Sequence, residues 1–173
     1  MSVEEHKQEA PNQVACMILT VSDTRTLETD KSGQLMIEML EREGHSIVTH
    51  KIVQDSLTDI QQWIRYADNN DNIEALLLNG GTGITFRDTT YEAVSVMLDK
   101  ELPGFGELFR YLSYEKDIGP AAMLSRAIAG VRGHMAIFST PGSSGAVKLA
   151  MKELIIPELP HVMREIYKDK NKY

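Results

Sequence analysis

With 173 residues, 42% of them hydrophobic and 25% charged, the chain lies near the soluble globular average and suits one domain with a sizeable core, which excludes disordered and fibrous classes. Eighteen Lys and Arg against 25 Asp and Glu leave a net charge of −7 and no basic run, so no nucleic-acid partner is expected and any anion site must be built locally. No apolar run is long enough to span a bilayer, and the polar start "MSVEEHKQEAPNQ" carries no signal-peptide core; a cytoplasmic protein with no membrane partner is expected.

Residues 1–13 read as a flexible tail, residues 14–167 as a single domain and residues 168–173 as a polar tail. "VACMILTVSD" is a buried strand, in which the single Cys16 acts as a small hydrophobe and fits a reducing compartment. "KSGQLMIEMLEREG" follows as a helix with Leu35, Met36, Met39 and Leu40 on one face and Gly44 at its end. "HSIVTHKIVQD" is β-branched and alternating, a second strand. In "SLTDIQQWIRYADNND", Leu57, Ile60, Trp63, Ile64 and Ala67 make the core face of an amphipathic helix that Ser56 caps. "IEALLLN" is continuous and short, a strand covered on both faces. Thr89 and Glu92 have the T-x-x-E spacing of a capping box opening the helix "YEAVSVML". The stretch from Pro103 to Gly130 reads as further helix with Gly and Pro at its joints, "HMAIFSTPGSS" as a strand entering a loop, and the remainder as two closing helices. Strand alternating with helix predicts an α/β three-layer sandwich around a mainly parallel sheet.

In such a sheet, ligands gather at the carboxyl ends of the parallel strands. There the sequence places "SDTRT", "QDS", "NGGTGITFRDTT" and "STPGSSG". Three of these loops carry an aspartate, Asp23, Asp55 and Asp88, spaced 32 and 33 residues apart, about one strand-helix unit each. The glycine loop fits neither G-x-x-x-x-G-K-[ST] nor G-x-G-x-x-G, because no Lys follows and position 86 is Phe. Gly80, Gly81 and Gly83 permit positive φ and close backbone approach, and Thr82 adds a hydroxyl. Micromolar affinity needs about −8 kcal/mol, whereas a charge at a helix end gains roughly 0.3–1 kcal/mol. Several donors, with a metal, must therefore act together. Mg²⁺ bridging carboxylate and phosphate would use one or two carboxylates, for which Asp88 is the first candidate and Asp55 the second. The alternative roles for these aspartates and Asp23 are turns and caps. The five histidines (6, 45, 50, 134 and 161) show no zinc spacing, and Ser22 and Ser143 have no evident His partner for a hydrolase triad.

Taken together, "LTVSDTR", "LLNGGTGITFRDTTYEAV", "LPGFGELFRYLS", "IGPAAMLSRAIAG" and "FSTPGSSGAV" resemble the MoaB/MogA family of molybdenum cofactor biosynthesis proteins, most closely its protein B branch. The resemblance covers about residues 14 to 167. It implies molybdopterin binding and, in active members, adenylylation: the terminal phosphate of molybdopterin attacks the α-phosphate of ATP, with Mg²⁺ as cofactor, giving adenylyl-molybdopterin and pyrophosphate. It also implies a mixed-sheet sandwich and a homo-oligomer, a hexamer in the protein B branch and otherwise a trimer. Carried onto this chain, substrate-binding positions fall on Ser22 and Asp23, on Gly80, Gly81, Thr82 and Gly83, on Arg87 and Thr90, and on Pro141, Gly142 and Ser143; Asp88 and Asp55 take the catalytic and magnesium-binding positions. The chain departs from the family pattern at Asn79, Tyr91 and Ser144-Gly145, where the pattern has Thr, Pro and Pro-Lys. A non-enzymatic molybdopterin carrier of the same pathway is the alternative reading.

Overall fold

The computed structural model describes residues 2–8 and 10–170. They form one six-stranded sheet ordered β2 (Ser46–Val53), β1 (Ala15–Val21), β3 (Ala75–Asn79), β6 (Met135–Thr140), β5 (Ile128–Arg132) and β4 (Lys100–Glu101). The first four strands of that order are parallel, and β5 and β4 are antiparallel additions. All five residues of β3 are buried, as a continuous apolar strand in a sheet covered on both faces should be. Alternate residues feed two cores. Cys16, Ile18, Leu77 and Phe138 pack beneath α2 (Lys31–Arg42), α5 (Pro103–Ser113), α6 (Ser144–Ala150) and α7 (Ile156–Tyr167). Met17, Leu19, Leu76, Leu78 and Ile137 pack beneath α3 (Leu57–Asp68) and α4 (Thr90–Ser95). The result is the expected three-layer α/β sandwich with a mainly parallel, mixed sheet.

Local differences from the sequence reading have physical causes. Within the tail read at residues 1–13, Val3–Gln8 is a helix, α1. Ser2 and Glu5 are its reciprocal capping box: Ser2 N–H donates to Glu5 Oε2 at 2.6 Å and Glu5 N–H to Ser2 Oγ at 3.3 Å. Of the polar tail at 168–173, residues 171–173 lie outside the described residues. The segment 103–130, read as helical throughout, stays helical only to Leu124, passing from α5 through a π turn (Tyr114–Ile118) and a 3-10 stretch (Gly119–Leu124). Its end becomes β5 because Ile128–Arg132 pairs with β6, and that pairing overrides the helical leaning of an Ala-rich stretch. Ser56 caps α3 as expected, through Asp59 N–H, but Leu57 lies 40% exposed, ahead of the core face made by Ile60, Ile64 and Ala67.

Candidate functional site

Because β1, β2 and β3 are parallel neighbours, their carboxyl ends share one edge of the sheet. Asp23, Asp55 and Asp88 follow those ends, and two of them are directly linked. Asp55 N–H donates to Asp23 Oδ1 at 3.1 Å, and the Arg87 guanidinium pairs with Asp23 Oδ2. Asp55 Oδ1 accepts from Thr89 N–H at 3.0 Å and Thr89 Oγ1 at 2.8 Å. Asp88 Oδ2 accepts from Thr85 N–H at 2.9 Å and Thr85 Oγ1 at 2.6 Å. The T-x-x-E spacing thus marks the start of α4 correctly, but no capping box forms: Thr89 makes no cap hydrogen bond to its own helix. Asp55 takes its N–H and hydroxyl, and Glu92 turns to Arg126.

The glycine loop leaves β3 in a shape that requires glycine. Gly80 and Gly81 have φ of 99° and 68°, in the left-handed half of backbone space. Gly80 N–H donates to Thr140 O at 3.0 Å, tying the loop to the end of β6, and Thr90 N–H donates to Gly81 O at 3.1 Å. Arg126, which lies inside the motif "IGPAAMLSRAIAG" but was not among the expected site residues, clamps the far side. Its Nε donates to Gly83 O at 2.8 Å, its Nη2 to Asp88 O at 3.2 Å, and its Nη1 pairs with Glu92. The hydrogen bond from Arg126 holds the Glu92 carboxyl below its ordinary pKa, against a smaller opposing effect of burial. On the other side, Gly142 O accepts from Arg25 Nη2 at 3.0 Å and Ser32 Oγ at 2.7 Å. Ser143 Oγ caps α6 by accepting from Ala146 N–H at 3.3 Å.

Between these loops lies a cleft of about 460 Å³, lined by Ser22, Arg25, Gly80, Gly81, Thr82, Gly83, Asp88, Pro141 and Gly142, with Ile118, Ala121 and Leu124 at one side. Eight of the thirteen substrate-binding and catalytic positions carried over from the family pattern meet on this wall. The others stand elsewhere. Arg87 is turned outward, 75% exposed, on Asp23. Asp23 itself lines a neighbouring hollow of about 420 Å³ with Arg25, His50 and Lys51. Ser143 is exposed at its helix start, and Thr90 and Asp55 stand behind Gly81.

Oxygen donors for a hard cation are present in part. Thr90 Oγ1 is buried without a hydrogen-bond partner, and a Cβ on Gly81 would lie 2.1 Å from it and 2.8 Å from Asp55 Oδ2. These two oxygens therefore converge behind the loop, while Asp88 flanks it at Gly83. Oxygen-only donors from one or two carboxylates suit Mg²⁺ completed by phosphate oxygens. Among the described residues no group of three or more His, Cys, Asp or Glu is placed to hold a metal by protein ligands alone. Nor is any helix of the described residues long and apolar enough to cross a membrane.

A parallel sheet with glycine loops and a polar cleft at its strand ends defines an α/β protein built to bind a small ligand. Comparison with known proteins gives the family. Residues 17–161 match the model of the molybdenum cofactor biosynthesis family, described as a probable molybdopterin binding domain. The chain belongs to that family. It is 64% identical over 170 residues to molybdenum cofactor biosynthesis protein B of Halalkalibacterium halodurans, covering 98% of this chain and 100% of that one. It is 62% identical to the protein of the same description from Bacillus subtilis, with the same coverage. Among solved structures, one of a molybdenum cofactor biosynthesis protein B superposes with a TM-score of 0.90 at 55% identity, over 92% of this chain and 99% of that one. The tungsten cofactor synthesizing protein MoaB from Pyrococcus furiosus superposes with a TM-score of 0.78 at 38% identity, over 91% and 99%.

Proposed function

We propose that the chain binds molybdopterin in the cleft between the glycine loop and Pro141-Gly142, and adenylylates it with ATP. The observation that carries this reading is the meeting of Gly80–Gly83, Asp88, Ser22 and Gly142 on one cleft wall in a chain of the molybdopterin-binding family. The transfer forms a P–O bond between the terminal phosphate of the pterin and the α-phosphorus of ATP, and breaks the α–β bridge to release pyrophosphate. A phosphate monoester, with a second pKa of about 6, is largely dianionic near neutral pH. The nucleophile therefore needs no general base, and the protein's task is to position two anions in line and offset their repulsion.

The chain's own groups suit that task. The loop amides offer donors to phosphate oxygens, and the clamp from Arg126 to Gly83 and Asp88 holds the loop's shape before the ligand arrives. Asp88 Oδ1 and Asp55 Oδ2 take no hydrogen bond among the described residues and are the oxygens left for a metal. Mg²⁺ held there with phosphate oxygens would supply charge neutralisation. The homo-oligomer expected from the family pattern, hexamer or trimer, is part of this proposal.

A second reading rests on a specific observation: Asp23 has both carboxylate oxygens engaged, and Asp88 Oδ2 is taken up by Thr85. Loop aspartates committed to loop structure suit a molybdopterin carrier without transfer chemistry. The test mixes the purified protein with molybdopterin and ATP labelled at the α-phosphate, with Mg²⁺, beside Asp88→Asn. Label in a pterin-sized product, lost in the variant, is the expected outcome. Retention of molybdopterin without any labelled product would decide for the carrier, and equal transfer by Asp88→Asn would remove that residue from the chemistry.

A further inference from the structure

A cleft for phosphates needs a positive charge, and the positions carried over from the family pattern supply none inside it. Arg87 is outside the cleft on Asp23, and Ser144-Gly145 offers no lysine. Among the described residues lining the cleft, Arg25 is the one Lys or Arg, and Asp88 the one carboxylate. We propose that Arg25 receives a phosphate of the ligand and that Asp30 is the residue that positions it. This inference rests on the reading of the cleft as a site for a phosphate-bearing pterin.

The setting of Arg25 is more than a loop contact. Its backbone N–H donates to Ser22 Oγ at 3.1 Å, folding the turn after β1. Its Nη2 donates to Gly142 O at 3.0 Å, and its Nη1 stands 3.6 Å from Asp30 Oδ1. Tying down Gly142 O does not require a cation, because Ser32 Oγ already donates to the same oxygen at 2.7 Å. The guanidinium, 32% exposed, lines both the 460 Å³ cleft and the neighbouring 420 Å³ hollow. It therefore forms the partition between them, with part of its planar donor fork uncommitted. That fork matches two oxygens of one phosphate, which an ammonium group cannot do.

Asp30 is what a positioned arginine needs. Its side chain is fully buried, and four groups surround the carboxylate. Oδ1 accepts from Gly33 N–H at 3.0 Å as the cap of α2 and faces Arg25; Oδ2 accepts from Thr20 Oγ1 at 2.5 Å and meets His50 Nε2 at 2.8 Å. Thr20 Oγ1 accepts in turn from Asn79 Nδ2 at 2.9 Å. The chain of contacts runs from β3 through β1 to β2 and α2, so the carboxylate cannot shift without moving the sheet edge. An N-cap alone would be satisfied by an exposed aspartate. Burying a carboxylate demands charged and hydrogen-bonding partners, and here one of them is the cation on the cleft wall.

The test uses pyrophosphate as the probe, with binding followed by calorimetry on the native protein, Arg25→Gln, Arg25→Lys and Asp30→Asn. Loss of a charge-assisted pair in a partly buried site weakens binding roughly 10- to 150-fold; Arg25→Gln is expected in that range, and Arg25→Lys between it and the native protein. Asp30→Asn separates two ideas by sign. Removing a negative charge 3.6 Å from Arg25 would by electrostatics alone tighten anion binding, whereas loss of positioning weakens it. Weaker binding is expected, and tighter binding would overturn the role of Asp30. In the native protein, modification of Arg25 by phenylglyoxal, read by peptide mass, should slow when pyrophosphate is present; this measurement needs no variant to fold. Unchanged modification, absence of pyrophosphate binding, or native affinity in Arg25→Gln would each overturn the inference. Failure of the labelled transfer above with pyrophosphate protection intact would instead strike the proposed activity and leave Arg25 as the anion residue.

Discussion

Replacing Gly80 by alanine is the most direct test of how the glycine loop is built. Gly80 has φ of 99°, and a Cβ there would lie 2.2 Å from the carbonyl oxygen of Val21 and 3.2 Å from its carbonyl carbon. Neither neighbour can yield cheaply. Val21 pairs with Val53 in the parallel ladder, and Gly80 is itself fixed through its N–H to Thr140 O at 3.0 Å. The left-handed conformation costs a residue with a Cβ about 1–2 kcal/mol, and overpacking against fixed atoms about 1–3 kcal/mol. The sum, about 2–5 kcal/mol, is a large part of the 5–15 kcal/mol by which a typical domain is stable. For a chain of this length it corresponds to a melting temperature lowered by roughly 4–20 °C. Gly104→Ala is the control: its Cβ would meet nothing within 4 Å, and it lies in the first turn of α5 at an ordinary φ. It should leave stability unchanged or raise it by up to about 1 kcal/mol. Gly81→Ala should fall between them, since its φ is 68° and its obstacles, Thr90 Oγ1 and Asp55 Oδ2, are side-chain rather than backbone atoms. Thermal unfolding followed by circular dichroism ranks the three. A Gly80→Ala melt within 1–2 °C of native, about 1 kcal/mol at most by the same scale, would refute the account of the loop.

Three further outcomes are expected. Asp55→Ala removes the acceptor of Thr89 N–H and Oγ1 and should cost about 1–3 kcal/mol in urea unfolding, with Asp55→Asn, which keeps a carbonyl oxygen, costing less; equal stability of all three would show that the glycine loop is held otherwise. His45 is 6% exposed and its Nδ1 accepts from Val14 N–H at 3.1 Å, while burial, only partly offset by Glu43, lowers its pKa below 6.5. The unfolded ring thus binds a proton more readily than the folded one, so its contribution is complete above about pH 6.5 and is lost as pH falls toward the folded value; the stability difference between native protein and His45→Asn should shrink from pH 7.5 to pH 5, and a constant difference would contradict it. The Cys16 thiol is pushed up to about 12 by burial, with Glu74 adding to the effect, so an aromatic disulfide reagent should find no thiol in native buffer and one in denaturant.

The fold was legible wherever a segment's own pattern decides its structure. The apolar run Ala75–Asn79 could only be a strand covered on both faces, and the spacing of Ile60, Ile64 and Ala67 could only be a helix face. The strand Ile128–Arg132 was not legible, because its identity as β5 comes from a partner strand that starts at Met135, and the two-residue β4 has no pattern of its own. The same division runs through the site. The spacing of Asp23, Asp55 and Asp88 announces a shared sheet edge, since a parallel strand-helix unit repeats at about that interval. What each carboxylate touches was hidden: Asp55 serves Thr89 from 34 positions away, and Arg126 reaches back 43 positions to Gly83.

Asp30 shows most clearly why such residues escape a linear reading. In "LETDKSG" it stands in a polar loop before a helix, where an exposed cap is the ordinary expectation. Its burial results from Thr20, His50 and Gly33 arriving from three different elements, and no window of sequence contains all of them. The consequence bears on the overall charge. With a net charge of −7 the molecule's field opposes an anionic ligand at a distance, so attraction must come at short range, inside the cleft, where solvent screening is weaker. A single arginine in that cleft, held beside a buried carboxylate and between two glycine-bearing loops, meets this requirement without making the surface basic. Selectivity for an anion then comes from shape and fixed donors, which a flexible lysine on an exposed loop would not provide.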